Sequence, residues 1–569
     1  MCGIAGIIGK GSAGPLIETI THRGPDGVRV EEGEGYSLAH ARLSIIDLEC
    51  GWQPLHAAGS TVIGNGEIYN YLELIQEFGL KDRLATGSDF EPMLHLYAEM
   101  GPAVFERLRG MYAFCLIGRD GRAWLVRDPF GIKPLYYGRH PDGLAFASEP
   151  RAFGRLGLKP AQADELLALN YALESPFEGI TRVEPGAVLE IPTGALSAED
   201  QEAVLPTQHA LHGAWTPAVR STTGEKALID RLDAVLEDSV RVHQRSDVPY
   251  GLFLSGGVDS ASIATLMARL NARPVTAFTC GFDVPSARDE RAHAEHVARA
   301  LNLDWRETHF TEEDFWRVLP QVAWALDDPT TDYATLPTYK LAEAAKGTLT
   351  VVLTGEGGDE LFGGYGRYRR ALRPAWLGGR AAEPQIDAPF LKDGGHEALN
   401  HWRDMAPAGG TRLQQAQGSD IATWLPNDLL LKLDRCLMAH GLEGRTPFLD
   451  RQVAAFAAAL PGRMKVRGRY GKWLLRKWLE RACPEADPWG RKKGFTVPVA
   501  AWIAPRAADL GPKIATLKAV REVCETDAVR AVFTDETQAK NRWPLLFFAV
   551  WSLIHLEGAN PDEALASLL

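Results

Sequence analysis

The sequence has few cysteines and no Cys-x-x-Cys pair: seven thiols stand alone at positions 2, 50, 115, 280, 436, 483 and 524. An odd, scattered set excludes a disulfide framework and a cysteine zinc site, and it suits a reducing compartment. Long hydrophobic runs are also missing. The longest apolar stretch, residues 545–554, falls far short of the ~20 residues that cross a bilayer. No basic segment leads into an apolar run near Met1, so a cytoplasmic location is expected. Positive charge is in deficit, 61 Lys and Arg against 73 Asp and Glu, for a net charge of -12. That balance argues against nucleic acid and membrane surfaces as partners and leaves small molecules.

What remains is ordinary soluble composition, 46% hydrophobic and 24% charged, in 569 residues, enough for two or more domains. The chain is organised around Pro249-Tyr250-Gly251-Leu252-Phe253-Leu254-Ser255-Gly256-Gly257-Val258-Asp259-Ser260. An apolar run too short for a helix breaks at Ser-Gly-Gly and gives way to a helical composition, which predicts strand, tight turn, helix. Glycines let the backbone turn closely around a ligand, and free N–H groups beside two hydroxyls suit a phosphate. The string is neither a Walker loop nor Gly-x-Gly-x-x-Gly. It resembles the pyrophosphate loop of ATP pyrophosphatases.

Near the start, Met1-Cys2-Gly3-Ile4 places a thiol at position 2. If Met1 is removed, which a small second residue favours, one residue carries a thiol and an α-amino group. With an amine pKa of roughly 7.7–8.0 beside a thiol of about 8.5, the amine can serve as base for its own thiol. Downstream come His22-Arg23-Gly24-Pro25-Asp26-Gly27, a strand over 39–47 carrying Arg42, a strand over 63–70 broken by Asn65-Gly66, then Thr86-Gly87-Ser88-Asp89 and Arg127-Asp128-Pro129-Phe130-Gly131-Ile132-Lys133.

In that order these motifs resemble the glutaminase domain of class II glutamine amidotransferases, over residues 2 to about 150. The resemblance implies an N-terminal-nucleophile hydrolase fold, two antiparallel sheets between helices. Cys2 becomes the nucleophile that releases ammonia from glutamine, and Asn65 with the Gly66 N–H forms the oxyanion hole. Arg42 clamps the glutamine α-carboxylate, while Glu67 and Asp89 hold its α-ammonium. The assignments make chemical sense, since a zwitterion needs a planar cation at one end and anions at the other. Arg23, Asp26, Asp128 and Lys133 are read as fold and loop residues.

Between about 190 and 223 the pattern dissolves, which predicts a linker and a boundary between domains 1–205 and 206–569. An amphipathic helix from Gly224 then leads to the glycine loop. A second strand is expected over 275–282, a helix over 289–301 and a third strand over 348–353. The last runs into Thr354-Gly355-Glu356-Gly357-Gly358-Asp359-Glu360-Leu361-Phe362-Gly363-Gly364. Strands alternating with helices imply a doubly wound parallel sheet, with ligands at the carboxyl ends of its strands.

Residues 225–500 resemble the adenylating domain of glutamine-hydrolysing asparagine synthetases. By that resemblance Ser255, Gly256, Gly257 and Ser260 bind the ATP phosphates, and Leu254, Cys280 and Gly355 lie beside the adenosine. Asp259 and Asp359 hold Mg2+, a hard cation that prefers carboxylate and phosphate oxygens. Glu356 acts as base for incoming ammonia. Lys472, in Tyr470-Gly471-Lys472-Trp473, meets charge on the α-phosphate. The stretch from Lys432 to Asp450 matches a further signature, with Met438 and Leu442 expected in the core and the charged positions expected to face a channel or active site. Gly358 departs from the usual Ser and Gly444 from the usual Ala, and residues 491–498 resemble branches that amidate other acceptors. The implied substrates are glutamine, aspartate and ATP, and the implied assembly is a homodimer.

Three other readings compete. Enzymes that adenylate a different carboxylate, such as β-lactam synthetases and lasso-peptide cyclases, often lack the nucleophilic Cys, so Cys2 argues against them. A glutamine-fed sugar aminotransferase shares only the first third. A regulatory sensor on a decayed synthetase predicts losses at Cys2, Asp259, Glu356 or Lys472, and all four residues are present.

Overall fold

The computed structural model describes residues 2–191, 207–210, 215, 223–282, 291–379, 383–407, 410–490 and 497–569. The first part contributes β1 (Gly3–Gly9), β2 (Gly27–Gly33), β3 (Tyr36–Arg42), β4 (Leu55–Ala57), β5 (Ser60–Ile68) and β6 (Gly110–Ile117). It continues with β7 (Ala123–Arg127), β8 (Tyr136–His140), β9 (Gly143–Ala147), β10 (Ile180–Arg182), β11 (Ala187–Ile191) and β12 (Thr207–Ala210). They form two antiparallel sheets, ordered β10-β8-β9-β1-β3-β2 and β12-β11-β7-β6-β5-β4.

β1 reads as continuous apolar sequence because both of its faces are covered. Ile4 and Ile8 meet Leu38, Ile63, Cys115 and Leu125 between the sheets, while Ala5 and Ile7 pack with Leu16 and Ile17 of the helix Gly14–Glu18. Across the second sheet, Val62, Tyr112 and Phe114 meet Leu94 and Tyr97 of the helix Glu91–Met100. The layers are therefore helix, sheet, sheet, helix, the sandwich expected.

Two local expectations change. β5 runs unbroken through Asn65 and Gly66, which pair with Ala113 and Tyr112 of β6. Gly66 holds φ at +132°, and a Cβ there would lie 2.0 Å from the Met111 carbonyl oxygen, so the glycine keeps the strand intact where a turn was expected. β3 ends at Arg42, and the chain beyond it bends through Asp47, whose φ is +52°. In the segment read as a linker, β12 pairs with β11 and carries the second sheet past residue 205. The expected boundary at 205/206 itself lies outside the described residues.

In the second part the helix Glu225–His243 buries Leu228, Leu232, Leu236 and Val240, one stripe at helical spacing. It leads to β13 (Tyr250–Phe253), which joins β14 (Thr276–Phe282), β15 (Asp304–Phe310), β16 (Val351–Leu353) and β17 (Glu443–Arg445) in a parallel sheet ordered β15-β14-β13-β16-β17. Leu252, Ala277, Val351 and Leu353 enter one core, and Phe278 and Val352 enter the core on the other face. β15 and β17 are strands beyond those expected: β15 is a half-exposed edge with a polar sequence, and β17 is only three residues long. The third expected strand shortens to Val351–Leu353, and the expected helix over 289–301 is observed as Arg291–Ala300, its first two positions lying outside the described residues. Met438 and Leu442 are buried, as expected.

The tail without motifs is structural. The helix Arg542–His555 packs against the helix Glu312–Ala325, and its Trp543 and Trp551 indoles donate to the carbonyls of Thr331 and Leu326 at 2.6 and 2.8 Å. Among the described residues no helix is long and apolar enough to cross a membrane. One apolar core joins the two parts, with Leu43, Ile45, Met111 and Ile132 packed among Leu252, Leu254, Val351 and Met438. Beside it Arg23 reaches across to Asp434 at 2.8 Å and binds Glu149 at 2.7 Å.

Candidate active sites

The first site gathers at the ends of β1, β3 and β5. The Cys2 backbone nitrogen, which becomes the α-amino group once Met1 is removed, donates to Asn65 Oδ1 at 3.2 Å. The Cys2 thiol lies 3.8 Å from the Leu43 carbonyl, and burial pushes its pKa up. Arg23 Nε donates to the Cys2 carbonyl at 3.2 Å, so a residue read as structural also fixes the Cys2 backbone. Asn65 is fully buried and its Nδ2 has no hydrogen-bond partner among the described residues. A buried amide donor left unmade is costly, and a ligand oxygen would satisfy it.

Arg42 is held in place by the backbone that follows it, donating to the carbonyls of Leu48 at 3.1 Å and Asp47 at 2.6 Å, with Trp52 stacked 4.8 Å from its guanidinium carbon. Asp47 in turn accepts from the Cys50 and Gly87 amides, tying this loop to the one that carries Asp89. Glu67 and Asp89 are both buried. Asp89 accepts from the Ile68 amide at 2.6 Å, and burial pushes its carboxyl up to about 7. Burial first, then the neighbouring Asp89, raises Glu67 well above the usual carboxylate range. Two buried carboxylates with raised pKa values form a seat for a cation.

The second site lies where the parallel strands end. Ser260 Oγ accepts from the Ser255 amide at 3.2 Å and donates to the Gly257 carbonyl at 3.2 Å, so the loop Ser255-Gly256-Gly257 closes on the first turn of the helix Val258–Leu270. Gly256 has φ at +73°. Leu254 and Cys280 sit at the ends of neighbouring strands, with the Leu254 amide donating to the Phe278 carbonyl at 2.9 Å. The second glycine loop is pressed against the first. A Cβ on Gly355 would lie 2.8 Å from Asp259 Cβ, and one on Gly358 only 2.6 Å from Asp259 Oδ1. Gly358, in place of the family's frequent Ser, therefore leaves Asp259 its position.

Lys472 joins them. It precedes the helix Trp473–Ala482 with φ at +55°, a left-handed conformation that a lysine adopts only where the surroundings impose it. Its ammonium sits between Asp259 and Asp359, 2.6 Å from the latter's Oδ1. Burial alone would lower its pKa, but the two carboxylates outweigh burial and raise it. A lysine on a helix commonly faces solvent; this one is 4% exposed. The ammonium stands where a cation shared by Asp259 and Asp359 would sit, and two hard oxygen donors suit Mg2+ that takes its other ligands from phosphates and water. Glu356 is half-buried, its carboxyl raised by burial and faced by Lys432, Asp332, Asp359 and Asp259.

Family comparisons agree with this division. The model for asparagine synthase matches residues 231–554, and that for a glutamine amidotransferase domain matches residues 1–201. The chain belongs to the asparagine synthase family. It is 31% identical to asparagine synthetase [glutamine-hydrolyzing] 1 of Bacillus subtilis, over 100% of this chain and 99% of the relative. It is 32% identical to a putative asparagine synthetase [glutamine-hydrolyzing] of Mycobacterium tuberculosis, over 98% of each, and 30% identical to asparagine synthetase B [glutamine-hydrolyzing] of Escherichia coli, over 84% of this chain and 78% of the relative.

Within this chain the structure gives contacts to charged residues that motif reading places in a signature without individual roles. Lys432 pairs with Asp332 at 2.8 Å beside Glu356, and Arg435 pairs with Asp327 at 2.9 Å. The acid-rich string Asp327-Asp328-Pro329-Thr330-Thr331-Asp332 was the available signal. Glu443 and Arg445, hidden in a three-residue strand, reach the first site.

Proposed function

We propose that this chain is a glutamine-dependent asparagine synthetase, divided near residue 205. It converts glutamine, aspartate, ATP and water to glutamate, asparagine, AMP and pyrophosphate. At the first site the α-amino group of processed Cys2 takes the thiol proton, and the thiolate attacks the glutamine side-chain amide. Asn65 Nδ2 and the Gly66 N–H receive the oxyanion, donors that typically contribute about 10²–10³ in rate each. Arg42 takes the α-carboxylate; Glu67 and Asp89 take the α-ammonium. Water then releases glutamate from the thioester, and the ammonia passes to the second site within the protein, away from bulk water that would protonate it.

At the second site the aspartate β-carboxylate attacks the ATP α-phosphate, forming β-aspartyl-AMP and releasing pyrophosphate. The Ser255–Ser260 loop cradles the phosphates, and Lys472 moves from its carboxylates to the α-phosphate as charge develops there. Asp259 and Asp359 would hold Mg2+, which neutralises the leaving pyrophosphate. Glu356, made a stronger base by burial, accepts a proton from ammonia as it attacks the acyl carbon.

The observation that carries this reading is the meeting of Asp259, Asp359 and Lys472, from three distant motifs, at one point between two glycine loops. The test is product identity: purified protein with glutamine, ATP, Mg2+ and a panel of carboxylates should form asparagine and AMP. ADP would refute adenylation, and AMP with another amide would replace aspartate as acceptor.

A further inference from the structure

The glutamine pocket is not made by the first part alone. Arg445, the last residue of β17 in the synthetase part, is fully buried and pinned on three sides. Its Nε donates to Glu443 Oε1 at 2.6 Å, and its Nη1 donates to the carbonyls of His243 at 2.8 Å and Arg245 at 2.7 Å. The remaining corner points out of the synthetase part. Nη2 has no hydrogen-bond partner among the described residues, and it lies 3.5 Å from Glu67 Oε1. Glu67 Oε2 is likewise buried without a partner. One carboxylate thus has an oxygen facing a fixed guanidinium and another left for a ligand.

We infer that Arg445 is a positioning residue for glutamine, orienting Glu67 and favouring its ionised form against burial so that it receives the substrate's α-ammonium. The inference rests on the glutamine site proposed above and extends it across the domain boundary. The charged and titratable groups facing Glu67 are Asp89, Glu443, Tyr69, Tyr71 and Cys2, which favour its protonated form when ionised, and Arg445 followed by the chain's N-terminal ammonium, which oppose them. A buried carboxylate among anions keeps its charge only where a cation is close. Arg445 also holds the Glu443 carboxyl low, at about 2, against the effect of burial. Replacing Arg445 therefore frees both carboxylates, and Glu443→Gln in the Arg445→Met background keeps the alkaline recovery only if Glu67 is the group that responds. The β17 backbone has a second role. The Arg445 carbonyl accepts from the Thr354 amide at 2.9 Å, directly before Gly355-Glu356, so one short strand borders both sites.

The test uses the full chain carrying Arg445→Met or Arg445→Lys. Glutamine hydrolysis is measured from pH 6 to 8.5, and ammonium-dependent synthesis in the same preparation reports folding. Arg445→Met should raise KM for glutamine about tenfold or more at pH 7 while kcat changes less than about threefold, and the KM should recover as pH rises and Glu67 ionises without its partner. Arg445→Lys, a point charge in place of a fork, should give a smaller rise with the same alkaline recovery, and it carries the test if the Met variant does not fold. KM unchanged in a folded variant, or KM and kcat failing together at every pH, overturns the positioning role. A wild-type chain without Cys2-dependent hydrolysis overturns the glutamine site itself and this role with it.

Discussion

Cys2, Arg42, Asn65 and Glu67 sit on strands or at their ends, so the register of an antiparallel ladder sets the distances between them. Ser255, Glu356, Asp359 and Lys472 sit on loops and helix starts, and nothing in a ladder relates them. Their geometry depends instead on glycines that let two loops and a bent lysine touch. The first site therefore tolerates little change in strand pairing, whereas the second is sensitive wherever a Cβ would enter the seam.

That contrast can be broken in order of expected effect. Asn65→Ala should lower glutaminase kcat by about 10²–10³ and leave ammonium-dependent synthesis intact; Lys472→Met should lower both glutamine- and ammonium-dependent synthesis by a similar factor and spare glutaminase. Steady-state rates of the three reactions separate the cases, and loss of all three in either variant would erase the distinction between the sites. Gly364→Ala is the sharper probe of the loop seam. Its Cβ would fall 1.7 Å from Asp359 Oδ1 and 2.3 Å from Lys472 Cε, so synthesis should drop about 10²-fold through misplacement while glutaminase persists. Wild-type synthesis in that variant would mean the seam is not what sets the geometry.

The smallest effect concerns stability. Lys465 is buried, donates to Gln417 Oε1 at 2.9 Å and stacks 4.5 Å from Trp215, and burial lowers its pKa to about 7. A lysine with a folded pKa below its unfolded ~10.4 costs nothing well above that value, costs more as pH falls towards 7, and costs its full amount below 7. Lys465→Met should therefore raise Tm more at pH 6 than at pH 9.5. A shift equal at both pH values would show that burial of the charge is not the cause.

Legibility followed the same division. The parallel sheet was readable because strands alternate with helices and glycine loops announce their flanking elements, whereas the layered sandwich was implied by the resemblance of the first part's motifs to class II glutamine amidotransferases. β15 was missed because an edge strand with a polar face, Asp304 to His309, carries no apolar alternation. β17 was missed because three residues carry no period at all; Arg445 stood in a recognised signature, but its partner was not legible because the contact with Glu67 joins residues far apart in sequence. The strand break expected at Asn65-Gly66 failed for a physical reason: a glycine that favours turns also allows a strand to run so close to a neighbour that a Cβ would lie 2.0 Å from the Met111 carbonyl oxygen. The tail helix Arg542–His555 had no motif because its role is apolar burial beneath the Asp327–Thr331 loop, and burial needs no fixed residues.

The central claim is that nitrogen is freed at Cys2 and consumed beside Lys472. The direct measurement is asparagine and AMP formation by Cys2→Ala with glutamine or with an ammonium salt as nitrogen source. The account predicts no synthesis from glutamine and near wild-type synthesis from ammonium. Loss of both, or retained synthesis from glutamine, would contradict it.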